Sequence, residues 1–191
     1  DVCSSDLRRY FDDSANVSVY DASSDESVLI LHVEGPHNPP AFYRYRTDRR
    51  RLDSIGPLRD RLRSRAMPRS QVVEWTARDG LALTGYLTLP PGTTDAEAAP
   101  LIVYPHGGPE SRDWLAFDNW VQFFAARGYA VFQPNFRGSD GYGRAFAALG
   151  HGQWGRAMQD DITDGVRHLV GRGVADPARI CIVGASEDRK S

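Results

Sequence analysis

The chain has 191 residues, of which 41% are hydrophobic, and its formal net charge is -2. This is sufficient for an apolar core in one domain or in parts of two, while two cysteines cannot form a disulfide framework. The near-neutral charge gives no indication of a nucleic-acid partner, and no stretch approaches the roughly 18 consecutive apolar residues that a membrane span requires.

Both ends of the chain are predicted to be foreign to the native gene. All but one of the 23 basic residues are arginine, and the single lysine is Lys190. Residues 1–7 and 187–191 can be encoded by complementary copies of one DNA sequence, which resembles a sequencing-library adapter. We therefore interpret both segments as translated adapter and exclude them from fold reasoning.

Residues 8–55 have the pattern of short β-strands. Apolar and polar residues alternate at 17–20 and again at 42–46, and residues 28–33 form a continuous apolar run. The prolines between the second and third of these stretches predict a loop at 36–40. Three or four strands at this spacing are typical of part of a sandwich, barrel or propeller.

An arginine-rich segment follows, with ten arginines at 44–69. A basic cluster of this kind can bind nucleic acid. However, Asp48, Asp53 and Asp60 are interleaved with the arginines, and no recognisable nucleic-acid motif accompanies them. We interpret the segment as a solvated linker and edge surface, and we predict no nucleic-acid partner.

A different pattern begins at residue 71. Two strand-like runs, 72–75 and 81–87, flank Arg78-Asp79-Gly80, and Asp-Gly between such runs predicts a hairpin. Further strands are predicted at 101–104, 129–132 and 180–183, with helices at 117–125 and 158–170. This alternation of strand and helix predicts parallel pairing with right-handed crossovers.

Individual residues within these elements carry further predictions. Gly128 is expected at the C-cap of the first helix, and Asp160 and Asp161 near the positive N-terminal end of the second. Pro177 is expected to precede the last strand. Cys181 is predicted to be a small buried core residue. Because no second ligand cluster accompanies Cys181, we predict neither a metal nor a cofactor.

Two motifs in this part of the chain carry chemistry. The last predicted strand leads into Gly184-Ala185-Ser186, the first half of a nucleophile elbow, in which a strained turn raises the serine oxygen out of the sheet. The strand at 101–104 leads into His106-Gly107-Gly108-Pro109, where adjacent glycines let backbone N–H groups approach an oxyanion. Each motif alone is compatible with an ordinary turn, but their order and spacing favour an acyl-transfer site.

Further spaced motifs accompany these two. The full set is Tyr104-Pro105-His106-Gly107-Gly108-Pro109, Asn135-Phe136-Arg137-Gly138-Ser139-Asp140-Gly141-Tyr142-Gly143, Trp154-Gly155, Asp160-Asp161, Asp176-Pro177-Ala178-Arg179-Ile180 and Gly184-Ala185-Ser186. It resembles the catalytic domain of prolyl oligopeptidase family peptidases, especially the acylaminoacyl-peptidase and dipeptidyl-peptidase-like branch. The resemblance implies an α/β fold, with an incomplete α/β-hydrolase domain, its N-terminal half, at 69–186. The last strands of a β-propeller and a linker would precede it at 8–68, and the chain would be a truncated piece of such a protein.

The same resemblance implies a serine-type peptidase that cleaves short peptides through an acyl-enzyme on Ser186. The N–H of Gly108 and the N–H of residue 187 would stabilise the oxyanion, and His106 would order the loop that carries Gly108. The family motif continues Ser-Tyr-Gly-Gly, whereas this chain has Ser186-Glu187-Asp188-Arg189, so the second donor departs from the family pattern. A carboxylesterase of the same fold and a non-catalytic propeller–hydrolase binding protein are the alternatives.

The chain by itself is predicted to be catalytically inactive. In α/β-hydrolases the triad acid and histidine follow the serine along the chain, whereas the last histidine here is His168. A serine without a general base is a weak nucleophile at neutral pH. We therefore expect the purified 191-residue chain to release no detectable p-nitroaniline from a peptide p-nitroanilide. Turnover that disappears on Ser186→Ala would refute this expectation.

Overall fold

The computed structural model describes residues 7, 9–11, 14–59, 62, 67–93 and 98–184. Two compact units account for them. The first comprises the chain up to residue 67 together with 115–118, and the second comprises 68–114 and the chain from residue 119 onward. Each unit has its own cluster of buried apolar side chains.

The first unit contains a four-stranded antiparallel sheet in the order β1-β2-β3-β4. The strands are β1 Asn16–Ala22, β2 Val28–Gly35, β3 Asn38–Arg46 and β4 Arg51–Pro57. Alternate side chains of β2 are buried, among them Leu29, Leu31 and Val33, because successive residues of a strand point to opposite faces. The strand-like stretches that the sequence predicts at 17–20, 28–33 and 42–46 all lie within these strands.

The sequence predicts a loop at 36–40, but its predicted extent is wrong, because β3 already begins at Asn38. Pro39 and Pro40 are therefore strand residues. They lie at the start of β3, next to an irregularity in its pairing with β2 between Val33 and Gly35. Proline is tolerated at the first residues of a strand and beside bulges, because it cannot donate to a regular ladder.

The arginine-rich segment contains β4, which is an edge strand of this sheet. Arg44 and Arg51 contact the Asp53 carboxylate at 3.0 and 2.7 Å. The hydrogen bond from Arg44, which has the largest effect, and that from Arg51 hold the pKa of Asp53 below its ordinary value. Part of the segment is thus ordered strand, in which Arg44 of β3 and Arg51 of β4 pair with an interleaved acid.

The second unit contains a five-stranded sheet in the order β5-β6-β8-β7-β9. The strands are β5 Ser70–Thr76, β6 Ala82–Thr88, β7 Ala99–Val103, β8 Ala130–Asn135 and β9 Ala175–Ile182. β5 and β6 form the predicted antiparallel hairpin. β7 pairs in parallel with both β8 and β9, as the alternation of strands and helices predicts. The chain therefore has a mixed α/β fold.

Helices cover both faces of β8. The helices are α1 Asn119–Ala125, α2 Arg144–Ala148 and α3 Ala157–Gly171. Val121 and Ala125 of α1 pack with Val131, whereas Ile162 of α3 belongs to the cluster that contains Phe132. Because neighbouring residues of a strand face opposite ways, all six residues of β8 are buried.

The end of α1 agrees with the predicted glycine cap. Gly128 has φ +92°, and its N–H donates to the Ala125 carbonyl at 3.1 Å. This is the left-handed conformation that glycine adopts without a steric penalty after a helix. None of the helices in the described ranges is long and apolar enough to cross a membrane.

Two predictions about the last strand are wrong. β9 begins at Ala175, so Pro177 lies inside the strand, in a stretch where its pairing with β7 is irregular. Cys181 is exposed rather than buried, and Ile180 and Ile182 are 37% and 45% exposed. The reason is position: β9 has β7 as its single neighbour among the described strands, whereas β7 and β8 have a strand on each side.

Gly165 offers a test of how α3 packs on the sheet. A Cβ at this position would lie 2.8 Å from the Phe132 ring and 3.0 Å from the Trp75 ring. Gly165→Ala should therefore overpack the core and lower the free energy of unfolding by about 1–3 kcal/mol. Gly171→Ala is the matched control, because nothing lies within 4 Å of its Cβ and alanine favours a helix by about 1 kcal/mol. Urea denaturation followed by tryptophan fluorescence measures both, and equal losses would contradict the packing described.

Candidate active site

The C-terminal ends of three strands meet at one edge of the second sheet. β7 is parallel to β8 and to β9, and the Val183 N–H donates to the Val103 carbonyl at 2.9 Å where β7 and β9 end. β7 leads into 106–109, β8 into the turn at 135–143, and β9 into Gly184. This edge is where open α/β sheets bind their ligands. The sheet thus brings the predicted motif segments to one place.

Of the two predicted site residues, the structure describes Gly108 but not Ser186. Gly108 is described and lies in the loop that follows β7. Ser186 and residue 187 lie outside the described residues, which reach Gly184 at the end of β9. The catalytic roles of Ser186 and Gly108 therefore stay predictions, and the strands that carry both segments are neighbours in one sheet.

The backbone of Gly108 is compatible with glycine alone. Its φ is +138°, and a Cβ would lie 2.8 Å from the Glu110 nitrogen and 3.2 Å from the Ser111 nitrogen. Among the described residues, the Gly108 N–H donates to no protein acceptor. The residue is exposed.

Hydrogen bonds tie this loop to the turn at 135–143. The fully buried Asn135 side chain pairs with the backbone of Asp113, accepting from its N–H at 2.9 Å and donating to its carbonyl at 3.1 Å. The Asp140 N–H donates to the Ser111 carbonyl at 2.8 Å. Buried polar groups need such partners, so the turn fixes the course of the loop.

His106 joins the loop to the same turn through a face of its ring and through its ring nitrogens. The imidazole stacks on Phe136 with the ring centroids 4.6 Å apart. Nδ1 lies 3.0 Å from the Gly107 carbonyl oxygen and Nε2 lies 2.9 Å from Ser139 Oγ. Burial lowers the pKa of His106 below its ordinary value, opposed by the Gly107 contact. Since both nitrogens have partners, the contacts fit a residue that orders the loop rather than a general base.

A buried ion pair that the sequence analysis did not predict connects the turn at 135–143 to α3. Arg137 donates to both carboxylate oxygens of Asp161, at 2.8 and 2.7 Å, and its backbone N–H donates to the same group at 2.9 Å. Asp161 is fully buried. The hydrogen bonds that Arg137 donates to Asp161 and, second, to Asp79 raise the pKa of Arg137 above its ordinary value.

Asp160 and Asp161 lie near the N-terminal end of α3, which begins at Ala157, as the sequence predicts, but their carboxylates have different surroundings. Asp160 alone of the two lies in the first turn. Asp161, one residue on, faces the interior and binds Arg137. The sequence does contain a signal for this ion pair, since an Asp-Asp motif follows an arginine in the glycine-rich turn. Spacing alone, however, does not tell which of the two carboxylates the arginine binds.

Comparison with known proteins gives consistent matches. Residues 115–187 match the prolyl oligopeptidase family. Dipeptidyl aminopeptidase BIII of Pseudoxanthomonas mexicana is 35% identical over 178 residues, which cover 90% of this chain and 26% of that protein.

Solved structures agree with these sequence matches. A puromycin-hydrolysing peptidase of Mycobacterium tuberculosis has a TM-score of 0.72 at 30% identity, over 84% of this chain and 25% of that one. Pyrococcus horikoshii acylaminoacyl peptidase has a TM-score of 0.71 at 25% identity, over 91% of this chain and 27% of that one. The chain thus spans about a quarter of the length of the relatives it matches.

The contribution of the buried ion pair can be measured by comparison with an exposed one. Arg137→Ala leaves the buried Asp161 carboxylate without its partner and should lower the free energy of unfolding by about 3–5 kcal/mol. Arg78→Ala is the control, because Arg78 also pairs with two carboxylates, at 2.7 and 2.9 Å, but its side chain is 46% exposed. Water screens that pair, so its loss should be much smaller. Urea denaturation, which adds no screening salt, compares the two, and equal effects would contradict this assignment.

Proposed function

Since this chain belongs to the prolyl oligopeptidase family, we propose that the full protein hydrolyses short peptides through an acyl-enzyme formed on Ser186. The observation that carries the proposal is the N–H of the exposed residue Gly108. It has no protein acceptor among the described residues and belongs to the loop at the sheet edge where β9 leads toward Ser186. The names of the relatives, an aminopeptidase and two further peptidases, favour peptide substrates.

The proposed reaction uses these groups in two steps. Ser186 Oγ attacks the carbonyl carbon of the scissile peptide bond, and the carbonyl oxygen becomes an oxyanion to which the Gly108 N–H donates. The C–N bond then breaks while the general base passes the proton of Ser186 to the leaving nitrogen, and the amine departs. Water hydrolyses the remaining ester, which releases the carboxylic acid and restores the Ser186 hydroxyl. Because the donor is held in place before the substrate arrives, no reorganisation is required when charge develops on the oxygen.

The proton of Ser186 requires a general base. Both ring nitrogens of His106 already have protein partners, and His168 precedes Ser186 in the chain. In α/β-hydrolases the acid and the histidine follow the serine, so we assign these roles to residues that follow Ser186 in the full protein.

The proposal extends to the first unit. Its four strands form an antiparallel meander in sequence order, which is the arrangement of one β-propeller blade. We assign residues 8–68 to the end of a propeller and 69–186 to the hydrolase domain. The division between the two compact units near residue 67 supports this boundary.

Substitutions in the full protein test the proposed roles of Ser186 and Gly108. Ser186→Ala should reduce the turnover of peptide p-nitroanilides by about 10⁶ and abolish labelling by a fluorophosphonate. Gly108→Ala places a Cβ 2.8 Å from the Glu110 nitrogen, displaces the donor and should reduce kcat by about 10²–10³.

The control is Gly92→Ala, which also replaces a glycine of positive φ, +81°, with nothing within 4 Å of its Cβ. It should leave kcat unchanged. A wild-type rate in Ser186→Ala would overturn the proposal. Hydrolysis of p-nitrophenyl esters without hydrolysis of peptides would replace it by the carboxylesterase alternative.

A further inference from the structure

A cleft of about 530 Å³ opens beside the loop that carries Gly108. One wall is the loop at 108–110, and the other is the segment at 150–154 between α2 and α3. The cleft therefore borders the N–H to which the proposed function assigns the oxyanion. A substrate held there by its scissile carbonyl would place a neighbouring side chain in reach of this cleft.

Backbone contacts between glycines hold the two walls in fixed positions. A Cβ at Gly150 would lie 2.6 Å from the Cα of Gly138, and one at Gly138 would lie 3.0 Å from the Cα of Gly150. The Gly138 N–H also donates to the Phe146 carbonyl at 3.3 Å. The segment at 150–154 thus rests directly on the turn that orders the Gly108 loop, and the cleft is part of one packed assembly.

Trp154 is the most prominent side chain of the cleft and is 63% exposed. The Gln153 N–H donates to the Gly150 carbonyl at 3.1 Å, and the flanking Gly152 and Gly155 have φ +70° and +65°. These turns present the indole at the surface. Among the described residues, the indole has no ring contact and no hydrogen bond, although an aromatic ring favours burial or a partner.

Glu110 on the opposite wall supplies the charge. Its side chain forms no hydrogen bond and no ion pair within the part of the chain that the structure describes, and the residue is exposed. Glu110 and Trp154 line the same cleft, and a carboxylate and an indole can together bind a cation, through a charge-assisted hydrogen bond and a cation–π contact. A neutral apolar side chain such as norleucine has neither a charge nor a donor for Glu110 and forms no cation–π contact with Trp154.

We propose that this cleft is a subsite for a basic side chain, lysine or arginine, of the substrate residue on one side of the scissile bond. Trp154 stacks on the cationic group and Glu110 pairs with it. Both are specificity-determining residues, since neither contacts the bond that breaks. The inference rests on the proposed peptidase function, because the cleft is assigned as a substrate subsite from its position beside the proposed oxyanion donor, Gly108.

The test uses the full protein and matched fluorogenic peptides that differ at one residue beside the scissile bond. Lysine, norleucine and phenylalanine are compared at each of the two flanking positions. Wild type should prefer lysine to norleucine at one of them. Trp154→Ala and Glu110→Gln should each lower kcat/KM for that lysine peptide by about tenfold and leave the norleucine peptide within about twofold. Trp154→Phe should lose less than Trp154→Ala, because it keeps an aromatic face.

The matched control is Trp120→Ala, which removes another exposed tryptophan, 59% exposed and on α1. It should not alter the preference for lysine. If Trp154→Ala lowers kcat/KM equally for the lysine and norleucine peptides, or for neither, the subsite is overturned while the peptidase function stands.

A binding readout separates the two proposals. Calorimetry with the Ser186→Ala protein measures the Kd of the same peptides without turnover. Adding Glu110→Gln should raise the Kd of the lysine peptide about tenfold and leave that of the norleucine peptide unchanged. If wild type cleaves no peptide yet this discrimination holds, the subsite stands and the peptidase function fails. Equal Kd values for the two peptides would overturn the subsite.

Discussion

Hydrogen bonds between the turn at 135–143 and the loop after β7 determine where the Gly108 N–H lies. Asn135 holds the backbone of Asp113, and His106 reaches Ser139 Oγ at 2.9 Å. Asn135 and Ser139 are fully buried, and a buried polar group without a hydrogen bond costs about 1–3 kcal/mol. Moving the loop would break these hydrogen bonds and would therefore be unfavourable. A donor that stabilises a transition state must be in position beforehand. The loop conformation is therefore the constraint on which the proposed chemistry depends.

The fold supplies the remaining conditions. Parallel pairing of β7 with β8 and β9 brings the following segments to one sheet edge. The Arg137–Asp161 pair, with its 2.7 Å contact, joins the turn at 135–143 to α3, and Gly165 lets α3 approach Phe132 closely. The same turn supports the segment that presents Trp154. The turn at 135–143 thus underlies both the proposed oxyanion donor, through hydrogen bonds, and the proposed subsite beside it, through the contact of Gly138 with Gly150.

Elements that depend on local pattern were predictable from the sequence, and those that depend on distant partners were not. Periodicity is a local property, so the β5–β6 hairpin, α1 with its cap at Gly128 and α3 were predicted correctly. The binding of Asp161 to Arg137 spans 24 residues, and no spacing rule selects it over Asp160. The exposure of Cys181 follows from the position of β9 at the edge of the described sheet, which the apolar run around it does not reveal. At 36–40 the prolines predicted a loop, but a pairing irregularity accommodates them in β3.

The central claim is that a serine after β9 and the N–H of Gly108 act on one carbonyl group. A crystal structure of the full protein with a peptide aldehyde tests this most directly, because the aldehyde forms a tetrahedral adduct that retains the oxyanion oxygen. The account predicts a covalent bond from Ser186 Oγ to the former carbonyl carbon, with the adduct oxygen about 2.7–3.1 Å from the Gly108 nitrogen. An adduct oxygen directed away from Gly108, or an inhibitor bound to another residue, would contradict it.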